Sequence, residues 1–287
     1  MQLKQALGAA ITRLEDAKVG SPRLNAEVLL MFTLGCDRAY LYAHPERELT
    51  ADEAARYEQA LAERARGVPS QYITGHQEFW GLDLVVTPAV LIPRPETEHV
   101  VETVLELASN AGRGRPAPHK LRIVDVGTGS GCIALALAKE LPSAEITGAD
   151  ISQEALEVAR ANAARLQLER RVRFVESDLL AAFPEHAELD LVVSNPPYVG
   201  EEQAETVERQ VREFEPRVAV FTGASGLEAY RRLVPQARAR LKPGGWLVME
   251  IGQGMAESVQ ALLVGFAEVR VTRDLQGIPR VVAARKQ

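Results

Sequence analysis

Asn195-Pro196-Pro197-Tyr198 is the stretch whose residue types speak most directly of chemistry. Residues 189–194 read as a buried strand and run straight into it. Neither proline has a backbone N–H, and each biases its predecessor towards an extended conformation, so the chain turns stiffly here. A side-chain amide and an aromatic ring are thereby held at the carboxyl end of a strand, where open α/β sheets bind their ligands. An amide so placed pairs both a donor and an acceptor with a planar amide-like or amidine-like group. Asn195, Pro196, Pro197 and Tyr198 are therefore the candidate substrate contacts, with Asn195, Pro196 and Tyr198 carrying the chemistry. Pro-Pro after a strand is also ordinary turn punctuation, so the reading draws its weight from the rest of the chain.

A second constellation is Asp125-Val126-Gly127-Thr128-Gly129-Ser130-Gly131, where a predicted strand becomes a helix. Glycines let the backbone turn tightly and approach a ligand, and the helix start offers free N–H groups. The spacing is G-x-G-x-G, which argues against the G-x-G-x-x-G dinucleotide site, and no G-x-x-x-x-G-K-[ST] run is present. Asp150 closes the next predicted strand, roughly 20 residues beyond the glycines, where an acid accepts hydrogen bonds from ribose hydroxyls; capping a helix is the plainer alternative. Asp178, past the third strand, is placed to meet an adenine amino group with Leu179 as an apolar wall, against the alternative of a simple loop. Cys132 opens a helix, a position that can acidify a thiol, but a small buried residue is the expectation.

Alternating elements must position these residues. After residue 120 the predicted order is strand 121–126, helix 132–141, strand 145–150, helix 153–166 capped by Ser152, strands 172–176 and 189–194, helix 227–241 and strands 246–251, 267–273 and 280–284. Such alternation implies a parallel sheet with helices on both faces. Residues 110–120, rich in Gly and Pro, read as a loop. The front of the chain differs. Leu3, Ala6, Leu7, Ala10, Ile11 and Leu14 recur at helical spacing, a second helix follows at 24–34, and Thr50 with Glu53 form a capping box ahead of a third. This bundle reads as a packing or docking module. Between the two parts, Tyr72-Ile73-Thr74 and residues 78–86 carry β-branched and aromatic residues bracketed by glycines, which predicts a short hairpin.

The bulk numbers limit the function classes. The chain has 287 residues and a formal net charge of -6, which disfavours nucleic acid as the main partner because phosphate binding needs a basic face. Cys36 and Cys132 are the only cysteines and the five histidines are scattered, so neither a disulfide framework nor a metal site is expected. With no long apolar run, the protein is expected to be soluble, cytoplasmic and free of membrane contact.

Taken together, residues 125–131, Asp150 and Leu241-Lys242-Pro243-Gly244-Gly245 resemble a class I S-adenosylmethionine-dependent methyltransferase, and Asn195-Pro196-Pro197-Tyr198 resembles the motif of its amino-directed members. Pro69-Ser70-Gln71-Tyr72-Ile73-Thr74-Gly75, Glu78-Phe79, residues 92–98, Phe214-Glu215-Pro216-Arg217 and Gly226-Leu227 narrow the resemblance to the peptide chain release factor glutamine N5-methyltransferases, over most of the chain. Two positions depart from that pattern: Leu179 stands where some relatives carry an aromatic, and Ser225 where an acidic residue is expected.

The resemblance implies an α/β class I fold, a doubly wound, mostly parallel seven-stranded sheet, with a helical substrate-docking domain at 1–70, a hairpin linker at 71–90 and the methyltransferase domain at 91–287. It implies S-adenosyl-L-methionine as cofactor, leaving as S-adenosyl-L-homocysteine, bound by Asp125, Gly127, Thr128, Gly129, Ser130, Gly131, Asp150, Asp178, Leu179 and Asn195. Arg94 and Thr97 are expected near its methionine end, with surface ion pairing the alternative. The substrate implied is the glutamine of the Gly-Gly-Gln loop of bacterial release factors, met by a monomer. The Asn195 side-chain carbonyl and the Pro196 backbone carbonyl would accept its two N–H bonds, and Tyr198 would pack against it. Three rivals remain open: an amino-methyltransferase of adenine or guanine in DNA or RNA, a cofactor-binding regulator without catalysis, and a dehydrogenase, the last disfavoured by the glycine spacing.

Overall fold

The computed structural model describes residues 1–111 and 120–287, with the side chains of 110 and 111 left aside. Most of the loop expected at 110–120 lies outside the described residues. The chain forms two compact units: residues 1–76 with 209–214, and residues 77–208 with 215–287.

The first unit is helical: α1 (Leu3–Asp16), α2 (Pro22–Leu34), α3 (Arg38–Ala43), α4 (Ala51–Ala65) and α5 (Ser70–Thr74). Thr50 and Glu53 form the reciprocal capping box on α4, satisfying two otherwise orphan donors. The apolar stripes of α1, α2 and α4 bury Leu3, Leu14, Leu29, Leu30, Tyr57 and Leu61 in one core, and the Tyr57 hydroxyl donates to the Ala26 carbonyl at 3.0 Å. Residues 72–74, expected as strand, are instead the helical turn α5. Pro69 precedes it and Gly75 closes it at φ +77°, and Ile73 packs on the helical core. Caps and packing override β-propensity over so short a run.

The hairpin is β1 (His76–Phe79) and β2 (Leu82–Val85). Trp80 and Gly81 both turn at positive φ, the geometry that matches strand twist, and the Glu98 carboxylate accepts the Trp80 N–H at 2.8 Å. After a 3₁₀ turn (Pro95–Thr97) come α6 (Glu98–Ala111), β3 (Arg122–Val126), α7 (Cys132–Glu140), β4 (Glu145–Asp150), α8 (Gln153–Arg165), β5 (Val172–Glu176) and β6 (Leu189–Ser194). A second 3₁₀ turn (Glu201–Thr206) leads to α9 (Arg209–Phe214), α10 (Arg217–Val220), α11 (Glu228–Arg240), β7 (Leu241–Glu250), α12 (Ala256–Ala261), β8 (Phe266–Arg273) and β9 (Pro279–Lys286).

The seven-stranded sheet runs β5-β4-β3-β6-β7-β9-β8. The neighbours from β5 to β7 are parallel, and β9 is antiparallel to both β7 and β8. Alternation along each strand sorts side chains onto two faces. Ile123, Leu191, Val193, Val248 and Val281 join one core with Val100, Val104, Leu135 and Leu137. Val124, Val126, Val192, Leu247, Met249 and Val282 join the other with Tyr230, Leu233 and Val259. Residues 242–245, expected as a turn before the strand, bulge between the pairs Leu189–Leu241 and Leu191–Trp246, with Gly244 at φ +77°. Among the described residues no helix is long and apolar enough to cross a membrane.

Candidate active site

The strand order reverses between β3 and β6, because β3 leads outward through β4 to β5 while β6 leads the other way to β7. Ligands bind at the carboxyl ends flanking such a switch. Register aligns Ala149, Val126, Ser194 and Met249 across the four strands. Their successors, Asp150, Gly127, Asn195 and Glu250, therefore stand side by side on one rim of the sheet.

On the β3 side, Gly127, Gly129 and Gly131 all have positive φ. The N–H groups of Gly127 and Thr128 donate to the Ala149 carbonyl at 2.8 and 3.0 Å, and the Gly129 N–H donates to Asp150 Oδ2 at 2.9 Å. A Cβ added at Gly127 or Gly129 would meet nothing within 4 Å, whereas at Gly131 it would crowd Leu135 and Ala159. The loop is thus open where the first two glycines lie and tight where the helix begins. Asp125 is fully buried; its Oδ2 accepts from Thr128 Oγ1 at 2.7 Å and the Ala134 N–H at 3.2 Å. Its Oδ1 is buried with no hydrogen-bond partner, as is Ser130 Oγ. Burial pushes the Asp125 carboxyl up to about 7. Burial also raises Asp150, opposed by bonds from the Ser152 and Gly129 N–H groups. Cys132 is pushed up to about 12 by burial, which makes it a packed thiol rather than an acidified one.

The loop has a buttress that the sequence reading missed. Asn162 on α8 is fully buried. Its Oδ1 accepts from the Val85 N–H at 2.7 Å, while its Nδ2 donates to the Val85 and Ser130 carbonyls at 3.0 and 2.9 Å. Asp178 follows the carboxyl end of β5, where the Ser177 N–H donates to the Asp150 carbonyl at 2.8 Å, and its carboxylate pairs with Arg232 of α11 at 2.5 Å, both half-exposed. Leu179 takes a positive φ and packs partly against the core under α11.

On the β6 side, Ser194 Oγ donates to the Val126 carbonyl at 2.7 Å, locking the strand end to β3. Asn195 Nδ2 donates to Thr97 Oγ1 at 3.0 Å, and Thr97 Oγ1 donates to Glu250 Oε2 at 2.6 Å. The Asn195 Oδ1 and the Pro196 carbonyl accept no hydrogen bond from the described residues. Glu250 is buried on the α6 face beyond Val248, and burial pushes its carboxyl up to about 7 against the Thr97 bond. No local signal in the sequence marks it, apart from one carboxylate ending an apolar strand.

The Tyr198 ring lies against Gly252, where a Cβ would come within 2.9 Å of it, and a Cβ at Gly226 would come within 2.3 Å of the Tyr198 carbonyl oxygen. Burial pushes its phenol up to about 12, so it stays protonated near neutral pH. Arg94 pairs with Glu215, which is buried and also accepts the Ile92 N–H at 3.2 Å. Ser225, the departure from the family pattern, donates its hydroxyl to Glu228 at 2.9 Å in the first turn of α11. No cluster of metal-ligating side chains occurs among the described residues.

Residues 5–75 match the family described as PrmC N-terminal domain, and residues 113–214 the family described as Methyltransferase small domain. A release factor glutamine methyltransferase of Koribacter versatilis is 56% identical over 286 residues, covering 100% of this chain and 99% of that one. The chain belongs to this family. Release factor glutamine methyltransferases of Moorella thermoacetica and Geobacter sulfurreducens are 47% and 43% identical, covering 100% and 95% of this chain and 99% and 92% of their own. The hMettl16 catalytic domain superposes with a TM-score of 0.56 at 17% identity, covering 81% of each chain, a likeness of fold alone. This chain joins a match to the PrmC N-terminal domain with one to the methyltransferase small domain, and it is an enzyme of that class.

Proposed function

We propose that this protein transfers the methyl group of S-adenosylmethionine to the side-chain amide nitrogen of the glutamine in the Gly-Gly-Gln motif of bacterial peptide chain release factors. The observation that carries the reading is at Asn195. Its amide nitrogen is tied to Thr97, which leaves Oδ1 an unpartnered acceptor beside the unpartnered Pro196 carbonyl. Two acceptors on one stiff turn match the two N–H bonds of a primary amide.

The residues of the β3 side fit an adenosyl cofactor. Gly127 and Gly129 leave the loop open to close approach, Asp150 keeps lone pairs beyond its two backbone bonds, and the orphaned Asp125 Oδ1 lacks a donor. When bound, the cofactor supplies an electrophilic sulfonium methyl. An amide nitrogen is a weak nucleophile because its lone pair is delocalised into the carbonyl. Acceptors on both N–H bonds turn that lone pair out of conjugation and stabilise the positive charge developing on nitrogen. Tyr198, protonated and apolar in its ring, packs against the glutamine and excludes water rather than removing a proton. The methylated amide, once cationic, loses its proton to solvent.

The test mixes the purified protein with labelled S-adenosylmethionine and a bacterial release factor, with DNA and RNA in parallel, and maps the label by mass spectrometry. Label on the Gly-Gly-Gln glutamine is expected; label on a nucleobase alone overturns the substrate. Asn195→Ala should lower turnover by about 10²–10³-fold with an unchanged circular dichroism spectrum, and near-normal turnover refutes the role given to this amide.

A further inference from the structure

An asparagine amide can rotate so that its oxygen and nitrogen exchange places, and only one of the two orientations offers an acceptor to the substrate. In this molecule the choice is made by two residues remote in sequence. Thr97 stands 98 residues before Asn195 and 153 before Glu250, and Thr97 and Glu250 are only 2% and 3% exposed. We propose that Thr97 and Glu250 are positioning residues that hold the Asn195 amide with its carbonyl oxygen towards the substrate nitrogen. The proposal rests on the functional reading above.

The protons available at Thr97 and Glu250 decide the orientation. An ionised carboxylate only accepts, and a threonine hydroxyl has one proton to give. With Glu250 ionised, that proton is committed to Oε2, so Thr97 Oγ1 can meet Asn195 only as an acceptor. The Asn195 NH₂ must then face Thr97, which turns Oδ1 the other way. The opposite orientation would set two acceptor oxygens about 3 Å apart, without a proton between them. Thr97 is itself fixed, its N–H donating to the Arg94 carbonyl at 3.1 Å within the 3₁₀ turn. A buried carboxylate without partners is costly, and among the described residues the Thr97 hydroxyl is the donor to the Glu250 carboxylate.

The device has a protonation state in which it fails. Neutral Glu250 can donate its own proton to Thr97, releasing the threonine proton to point at Asn195 and admitting the reversed amide. Groups facing Glu250 act on this balance from every side: Glu96 favours the neutral form, and Arg94 and Arg280 the ionised one. Tyr198, Tyr230 and Cys132 are uncharged near neutrality, each held up by burial. Turnover should therefore rise with pH through the Glu250 titration, in a step that depends on the threonine hydroxyl.

The experiment compares wild type, Thr97→Val, Thr97→Ser and Glu250→Gln in release-factor methylation from about pH 5.5 to about pH 8.5. Alongside, the Asn195 side-chain amide is followed by nitrogen–proton correlation spectra without substrate. We expect Thr97→Val to lower kcat about tenfold at the alkaline end with the pH step removed. Thr97→Ser should restore both, and Glu250→Gln should flatten the step. The Asn195 amide resonances should titrate in wild type and not in Thr97→Val. The proposal is overturned if Thr97→Val keeps the wild-type kcat and pH step, if Thr97→Ser fails to rescue, or if the Asn195 resonances are insensitive to pH. Should wild type transfer nothing to the release factor, the functional reading fails, while the amide resonances still decide the orientation.

Discussion

Replacing Asn162 by leucine would separate the buttress from the chemistry. The side chain keeps its heavy-atom count and branching, but the Val85 N–H, the Val85 carbonyl and the Ser130 carbonyl each lose a partner at 2.7–3.0 Å. A backbone group stranded without a hydrogen bond costs about 1–3 kcal/mol. Val85 is half-buried and water can recover part of its loss, so the lower figure applies to its two groups; the Ser130 carbonyl, in a residue 2% exposed, loses at least as much, which gives about 3 kcal/mol or more in all. For a unit of this size, urea m-values of about 3 kcal/mol/M turn that into a midpoint shift of about 1 M. Trp80 in the hairpin turn and Trp246 on β7 are the two tryptophans, so intrinsic fluorescence follows both the hairpin and the sheet. The Ser130 carbonyl belongs to the glycine loop, so calorimetry should also show weaker S-adenosylmethionine binding. A midpoint shift under about 0.3 M, with cofactor affinity intact, would refute the claim that one amide holds hairpin and loop together.

Burial lifts the Asp125 carboxyl to about 7 from an ordinary 3.8, so the native chain holds a proton that the unfolded chain releases; native stability must fall as pH climbs through that window and level off above it. Asp125→Asn carries no such charge, and its stability relative to wild type should grow by on the order of 3 kcal/mol between about pH 5 and about pH 8; an unchanging gap in urea titrations contradicts this. Gly226 sits at φ +80° with its Cβ position 2.3 Å from the Tyr198 carbonyl oxygen, so Gly226→Ala should displace the Pro-Pro turn and lower methyl transfer about 100-fold. Cofactor binding, measured by calorimetry, should survive that change, and full activity would show that the turn tolerates movement.

What could be read from the chain was what lies close along it. The glycine loop, Asp150 and the Asn-Pro-Pro-Tyr turn are local patterns, and the alternation of apolar residues announces each strand that carries them. The relay behind Asn195 escaped because its members come from a 3₁₀ turn, β6 and β7, joined only by sheet order. Asn162 escaped likewise: an asparagine inside a helix looks like surface, and nothing nearby announces that a hairpin strand will seek its amide. Asp178 has a partner that its local position does not announce, since its carboxylate meets Arg232, 54 residues on. Residues 72–74 misled by composition, because caps on either side outweigh three β-favouring side chains.

The short helix α9 belongs by its contacts to the first unit although 132 residues of the second separate it from residue 76. Arg64, nearly buried on α4, binds Asn25 Oδ1 at 2.7 Å, the Val68 carbonyl at 3.0 Å and Gln210 of α9 at 3.1 Å, and Phe214 lies against Gly67. During synthesis the leading helices therefore emerge with one of their neighbours still unmade, and they wait for most of the chain before their surface is complete. A fragment ending near residue 76 would contain the whole of the family's N-terminal match and still not be a finished folding unit.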